Sequence, residues 1–123
     1  MVLLVEDETD LAATCARLLR RRGHTVVTVG TRKAGLAALA ELPALLVSDV
    51  RLPDGNGLDI VRAATIMYPR IPAVVMSARA SEPERIAAHE AGALGFLSKP
   101  FAAQEFSDIV ERLLAGGTAR ARE

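Results

Sequence analysis

The chain has 123 residues, 15 basic and 15 acidic, and half of it is apolar; that length suits one domain with a core needing no staples and excludes two good cores. Balanced charge supplies no basic field for nucleic acid or an anionic membrane, and no apolar run approaches the roughly 18 residues of a membrane span. Cys15 is the single cysteine, which excludes an internal disulfide and a cysteine metal cage and fits a reducing cytoplasmic setting.

The N-terminus carries no signal-peptide pattern. Val2-Leu3-Leu4-Val5 reads as a buried strand ending in Glu6-Asp7. Residues from about 8 to 22 keep helical spacing through Leu11, Cys15, Leu18 and Leu19. Gly23 after Arg20-Arg21-Arg22 suits a glycine stop behind a basic last turn. His24 to Val29 alternates more and is expected at a sheet edge. A second helix follows over about 31 to 41, ended near Pro43. Leu45-Leu46-Val47 is a third strand that closes on Ser48-Asp49. Pro53-Asp54-Gly55-Asn56-Gly57 is a dense turn cluster before a helix over about 57 to 67. Ala73-Val74-Val75-Met76 runs into Ser77 as a fourth strand, and a short, weakly apolar helix near 83 to 91 leads to Gly92. Gly95-Phe96-Leu97-Ser98 is a fifth strand ending at Lys99-Pro100. The last helix, about 102 to 115, carries Phe106, Ile109, Val110 and Leu113 on one stripe. Gly116 to Glu123 reads as a linker or a disordered tail behind a domain of residues 1–115.

Five strand–helix units imply a parallel sheet with helices on both faces. In such a sheet the carboxyl ends of the strands share one edge, where ligands bind. Glu6 and Asp7, Asp49, Ser77 and Lys99 each stand at such an end, so residues distant in sequence converge on one pocket. Three close carboxylates need a cation to stay ionised together. A hard divalent ion with oxygen ligands meets that need, Mg²⁺ first and Mn²⁺ as an alternative. Asp49 is then a nucleophile able to form an acyl phosphate. The Lys99 ammonium offsets charge on the transferring group, and the Ser77 hydroxyl can donate to a phosphoryl oxygen.

Glu6-Asp7, Asp49 with Pro53-Asp54-Gly55 behind it, Ser77-Ala78 and Lys99-Pro100-Phe101, in that order, make the chain resemble the receiver domain of two-component response regulators over essentially its whole length. The resemblance implies a flavodoxin-like three-layer α/β fold, a five-stranded parallel sheet in the order 2-1-3-4-5 with five helices. It also implies that Asp49 accepts phosphate from a phosphohistidine on a sensor histidine kinase or a histidine phosphotransfer protein. Asp7, Asp49 and the backbone carbonyl of Arg51 would hold Mg²⁺, with Glu6 acting through water. Lys99 and Ser77 would contact the phosphoryl group, and the Lys99-Pro100 bond would be cis. Ser77 and Phe96 would form a switch that alters the face of the fourth helix, fifth strand and fifth helix, which is also a candidate homodimer surface. Phe96 stands where the family often has Tyr and brings no hydroxyl to a partner. Arg51, two residues after the nucleophile, is expected to tune phosphate lifetime.

The domain is thus read as a self-modifying switch rather than a turnover enzyme, without direct nucleic-acid or membrane binding of its own. Two organisations fit: control of transcription through an effector module, or a stand-alone phosphorelay or adaptor receiver. A haloacid-dehalogenase-like phosphatase would need an acid two residues after the nucleophile, where Arg51 stands. A flavin carrier of this fold would need a Ser-, Thr- and Gly-rich loop where Glu6-Asp7-Glu8 stands. Asp7 is also placed to cap the first helix. Asp54 reads as turn chemistry, His24 and His89 as isolated structural or exposed residues, and Cys15 as a small core residue.

Overall fold

The computed structural model describes residues 1–116. Five parallel strands, β1 (Val2–Val5), β2 (Val26–Val29), β3 (Leu45–Asp49), β4 (Ala73–Ser77) and β5 (Gly95–Ser98), form one sheet. Their spatial order is β2-β1-β3-β4-β5, the expected flavodoxin-like 2-1-3-4-5. Helices α1 (Thr9–Arg21), α2 (Arg32–Ala38), α3 (Leu58–Thr65), α4 (Glu82–Ala91) and α5 (Ala103–Leu114) connect them. The proposed tail lies, Gly116 aside, outside the described residues.

The strands' apolar runs divide by parity between two cores. Val2, Leu4, Leu45, Val47, Val74 and Met76 face Cys15, Leu19, Phe106 and Val110 from α1 and α5. Leu3, Val5, Leu46, Ala73 and Val75 face Leu58, Ile60, Val61 and Ala88 from α3 and α4. Side chains alternate across a strand, so a run with no polar position feeds both layers. Burying each such Leu or Val favours folding by about 1.5–3 kcal/mol. The edge expectation for β2 holds: Thr28 is exposed while Val26 and Val29 are half-buried. Cys15 is a core residue, and its burial pushes the thiol up to about 11.

Helix ends follow local chemistry. Gly23 (φ 91°) ends α1, with its N–H on the Arg20 carbonyl at 3.0 Å and that of His24 on Leu19 at 3.2 Å. These two bonds satisfy carbonyls that the helix leaves open. Ser81 caps α4, its hydroxyl accepting from the Glu84 N–H at 3.3 Å. Asp7 is not the cap of α1; Glu8 holds that position and makes no side-chain cap bond. His24 is not isolated: its Nε2 lies 2.7 Å from Glu111 Oε2 and ties the entry of β2 to α5.

The turn cluster after β3 contains a feature that periodicity missed, a two-residue antiparallel ladder of Arg51–Leu52 with Gly55–Asn56. Gly57 behind it packs so tightly that a Cβ would collide with the carbonyl oxygen of Asp49. Asp54 does more than turn the chain. Its carboxylate reaches across to the start of α2 and accepts from the N–H groups of Arg32 (2.6 Å) and Lys33 (2.9 Å). Those two donors, Lys33 first, hold the Asp54 carboxyl below its usual range. A depressed acid adds stability that is complete above its unfolded pKa and is lost as pH falls through the folded one. In urea unfolding, Asp54→Ala is therefore expected to be less stable than wild type at pH 7, with the gap narrowing below pH 3.8, the ordinary value for this carboxyl.

Candidate functional site

The sheet register brings the acidic and basic residues together. Val5 pairs with Ser48, so Glu6 comes level with Asp49, and Ser77 pairs with Ser98 beside Lys99. The Lys99 N–H binds the Ser77 carbonyl at 2.8 Å, which fixes where that side chain leaves the sheet. Carboxylate oxygens of Glu6, Asp7 and Asp49 lie within 4.8 Å of one another. Lys99 Nζ donates to Glu6 Oε1 at 2.7 Å and to Asp49 Oδ2 at 2.9 Å. Glu6 and Asp49 are buried and Asp7 is exposed. The Lys99-Pro100 peptide is cis, as is Tyr68-Pro69.

Burial raises the Glu6 carboxyl above its ordinary value despite the hydrogen bonds from Lys99 and Glu8, and the nearby Asp49 charge adds to the rise. For Lys99, burial alone acts downward, but hydrogen bonds to Asp49 and Glu6 outweigh it and hold the ammonium above its usual value. Three carboxylates and one ammonium leave two formal negative charges at the cluster.

Both Glu6 oxygens have protein donors, Lys99 on one and the Glu8 N–H at 3.0 Å on the other. Among the described residues, the second Asp49 oxygen and the Asp7 carboxylate accept no hydrogen bond. The donor set is therefore all oxygen, is short of two positive charges and has open oxygens on Asp7 and Asp49. That chemistry fits a hard divalent cation.

Ser77, Phe96 and Arg51 each hold a partner at α4 or just before it. The Ser77 hydroxyl is engaged at the start of α4, with the Glu84 carboxylate and the Arg79 carbonyl (2.9 Å), and accepts from the Arg79 N–H at 3.0 Å. Phe96 is half-buried, with the Arg85 guanidinium over its ring at 4.6 Å. Arg51 reaches Glu84 Oε2 at 3.1 Å. Glu84 is the residue that sequence reasoning missed. A signal was present: Ser81-Glu82-Pro83-Glu84 is the Ser-x-x-Glu pattern of a helix start. That pattern would return the carboxylate to the Ser81 N–H, whereas here it serves Ser77 and Arg51.

An acidic triad at the carboxyl edge of a 2-1-3-4-5 sheet, bridged by a lysine, defines a class of signalling domain, and the comparisons agree. Residues 2–111 match the response regulator receiver domain, and the chain belongs to that family, the receivers of two-component systems. It is similar to the transcriptional regulatory protein PrrA of Mycobacterium tuberculosis, 38% identical over 121 residues, covering 96% of this chain and 52% of that protein. It is also similar to the KDP operon transcriptional regulatory protein KdpE of Escherichia coli, 39% identical over 101 residues, covering 81% and 44% respectively. The chain thus spans about half the length of these relatives. The receiver domain of NtrX from Brucella abortus superposes with a TM-score of 0.85 at 29% identity, over 94% of this chain and 98% of that one. The non-phosphorylated HemR receiver domain of Leptospira biflexa gives 0.79 at 32% identity, over 92% of each chain.

Removing the ammonium leaves the carboxylates uncompensated, and breaking one side of a buried ion pair typically destabilises by about 3 kcal/mol or more. Lys99→Ala is expected to lose about 3 kcal/mol at pH 7. The loss should be smaller at pH 4.5, the ordinary value for this carboxyl, because Glu6, raised above it, is by then more than half protonated. Urea unfolding at the two pH values checks both the size and the sign.

Proposed function

We propose that this receiver is a phosphorylation switch in which Asp49 accepts a phosphoryl group from a phosphohistidine. The observation that carries the reading is Asp49 Oδ2 held 2.9 Å from Lys99 Nζ inside the acidic triad. The other Asp49 oxygen attacks phosphorus as the nitrogen–phosphorus bond breaks, and the histidine leaves with the electron pair of that bond. Lys99, already within reach of Asp49, offsets charge that builds on the equatorial oxygens. Glu6 fixes Lys99 from the other side.

Asp7 and Asp49, with the Arg51 carbonyl, would hold Mg²⁺, and Glu6 would contribute through water because both its oxygens are engaged. The ion, when bound, supplies Lewis-acid neutralisation of phosphoryl oxygens. Mn²⁺ suits the same donors.

After transfer, Ser77 turns to donate to the phosphoryl group and Phe96 follows inward, altering the α4-β5-α5 face. Such coupling is typically about 1–3 kcal/mol, a population shift rather than a complete flip. A self-modified aspartate makes this a switch and not a turnover enzyme. Residues 1–115 form the switching unit, a linker or tail begins at Gly116, and the same α4-β5-α5 face serves a homodimer. A sensor kinase or histidine phosphotransfer protein approaches over the groove of ≈ 540 Å³ beside Lys99, lined by Asp10, Leu11, Thr14 and Phe101. Control of transcription is the output favoured by the names of the PrrA and KdpE relatives. Among the described residues no helix is long and apolar enough to cross a membrane, and we place the switch in the cytoplasm.

Given a small acyl-phosphate donor and Mg²⁺, wild type is expected to gain one phosphoryl group by intact-mass spectrometry and Asp49→Asn none. An unmodified wild type, or modification that survives Asp49→Asn, overturns the reading. Mg²⁺ at a hundredfold its dissociation constant should stabilise the fold by about 2.7 kcal/mol in thermal melts, an effect that Asp7→Asn greatly reduces.

A further inference from the structure

We propose that Glu84 is a positioning residue that clamps Ser77 away from the phosphoacceptor and thereby sets how readily the receiver takes its active form; the proposal rests on the phosphorylation reading above. Glu84 stands in the first turn of α4, seven residues beyond Ser77, and its side chain is 11% exposed. One oxygen takes the Ser77 hydroxyl and the other takes Arg51 at 3.1 Å. A hydroxyl has a single proton to donate, so the carboxylate and the Arg79 carbonyl compete for it. The charged acceptor makes the stronger bond. Reaching a phosphoryl oxygen requires that same proton, so Ser77 cannot serve Asp49 and Glu84 together.

Three further facts give the clamp its direction. Glu84 has forgone the ordinary partner of its position, the Ser81 N–H, although Ser81 accepts from the Glu84 N–H at 3.3 Å. Arg51 holds the carboxylate from the side of the β3–α3 connection, so the first turn of α4 is tethered to the residue two positions beyond Asp49. The next residue, Arg85, lies over the Phe96 ring at 4.6 Å and donates to Ser98 Oγ at 3.0 Å. One helical turn therefore holds both switch side chains. The clamp opposes activation by occupying the hydroxyl that the phosphoryl group would need.

The test is the affinity for beryllofluoride, a phosphoryl mimic, with saturating Mg²⁺, measured by calorimetry on the whole chain. Glu84→Ala is expected to bind about tenfold more tightly than wild type, within the usual range of such couplings. Glu84→Gln, isosteric and still an acceptor, should fall between the two and guards against a packing defect in the alanine variant. In a Ser77→Ala background the Glu84→Ala gain should vanish, because the coupling runs through the hydroxyl. Equal or weaker binding by both Glu84 variants overturns the clamp. So does a gain that persists without Ser77, which would be charge repulsion alone. A wild type that binds no beryllofluoride while folded fails the receiver reading itself, and the clamp falls with it.

Discussion

The Lys99 ammonium, shared by Glu6 and Asp49, is the contact on which the rest of the molecule turns. Two buried carboxylates and a third at their rim repel one another, and burial makes the Glu6 charge harder to hold. A lysine entering between the two buried acids relieves part of that repulsion and leaves a deficit suited to a divalent ion. The arrangement holds Asp49 in place yet stays short of neutrality. A buried ion pair of this kind adds little net stability compared with apolar packing. What it does is hold Asp49 at a fixed point.

That point is fixed by the sheet. Parallel pairing brings Glu6, Asp49, Ser77 and Lys99 to one edge, and the two apolar layers behind them leave the strands little freedom. The helices are not equally anchored. α5 buries Phe106, Val110 and Leu113, whereas α4 buries only Ala88 and Ala91. Small side chains bury little apolar area, so α4 is held less by packing than by the polar contacts of its first turn. A rigid acidic edge therefore stands beside a lightly packed helix, the contrast on which the proposed phosphorylation switch relies.

The polar contacts around Glu84 connect these two parts. Ser77 belongs to β4, Arg51 to the connection behind Asp49 and Phe96 to β5, and the first turn of α4 touches all three. Asp54 plays a comparable linking part on the other side, joining the same connection to the start of α2. The loop after β3 is thus braced at both flanks.

Much of this was legible in one dimension. Apolar runs of four or five residues, glycine and proline punctuation and helical stripes located all five strands and five helices, because burial and backbone sterics act locally. Charged and hydroxyl residues at the strand ends located the triad, Ser77 and Lys99, since a parallel sheet leaves them no other edge. The two-residue ladder after Asp49 escaped notice because it is too short to show a period. The cap from Asp54 to α2, the pair of His24 with Glu111 and the engagement of Ser77 by Glu84 escaped because each joins side chains whose meeting depends on how the layers pack. Residue types and order settled which groups stand at the site; only tertiary packing decided which partner each group holds, because a side chain takes the nearest donor or acceptor that the folded surface presents.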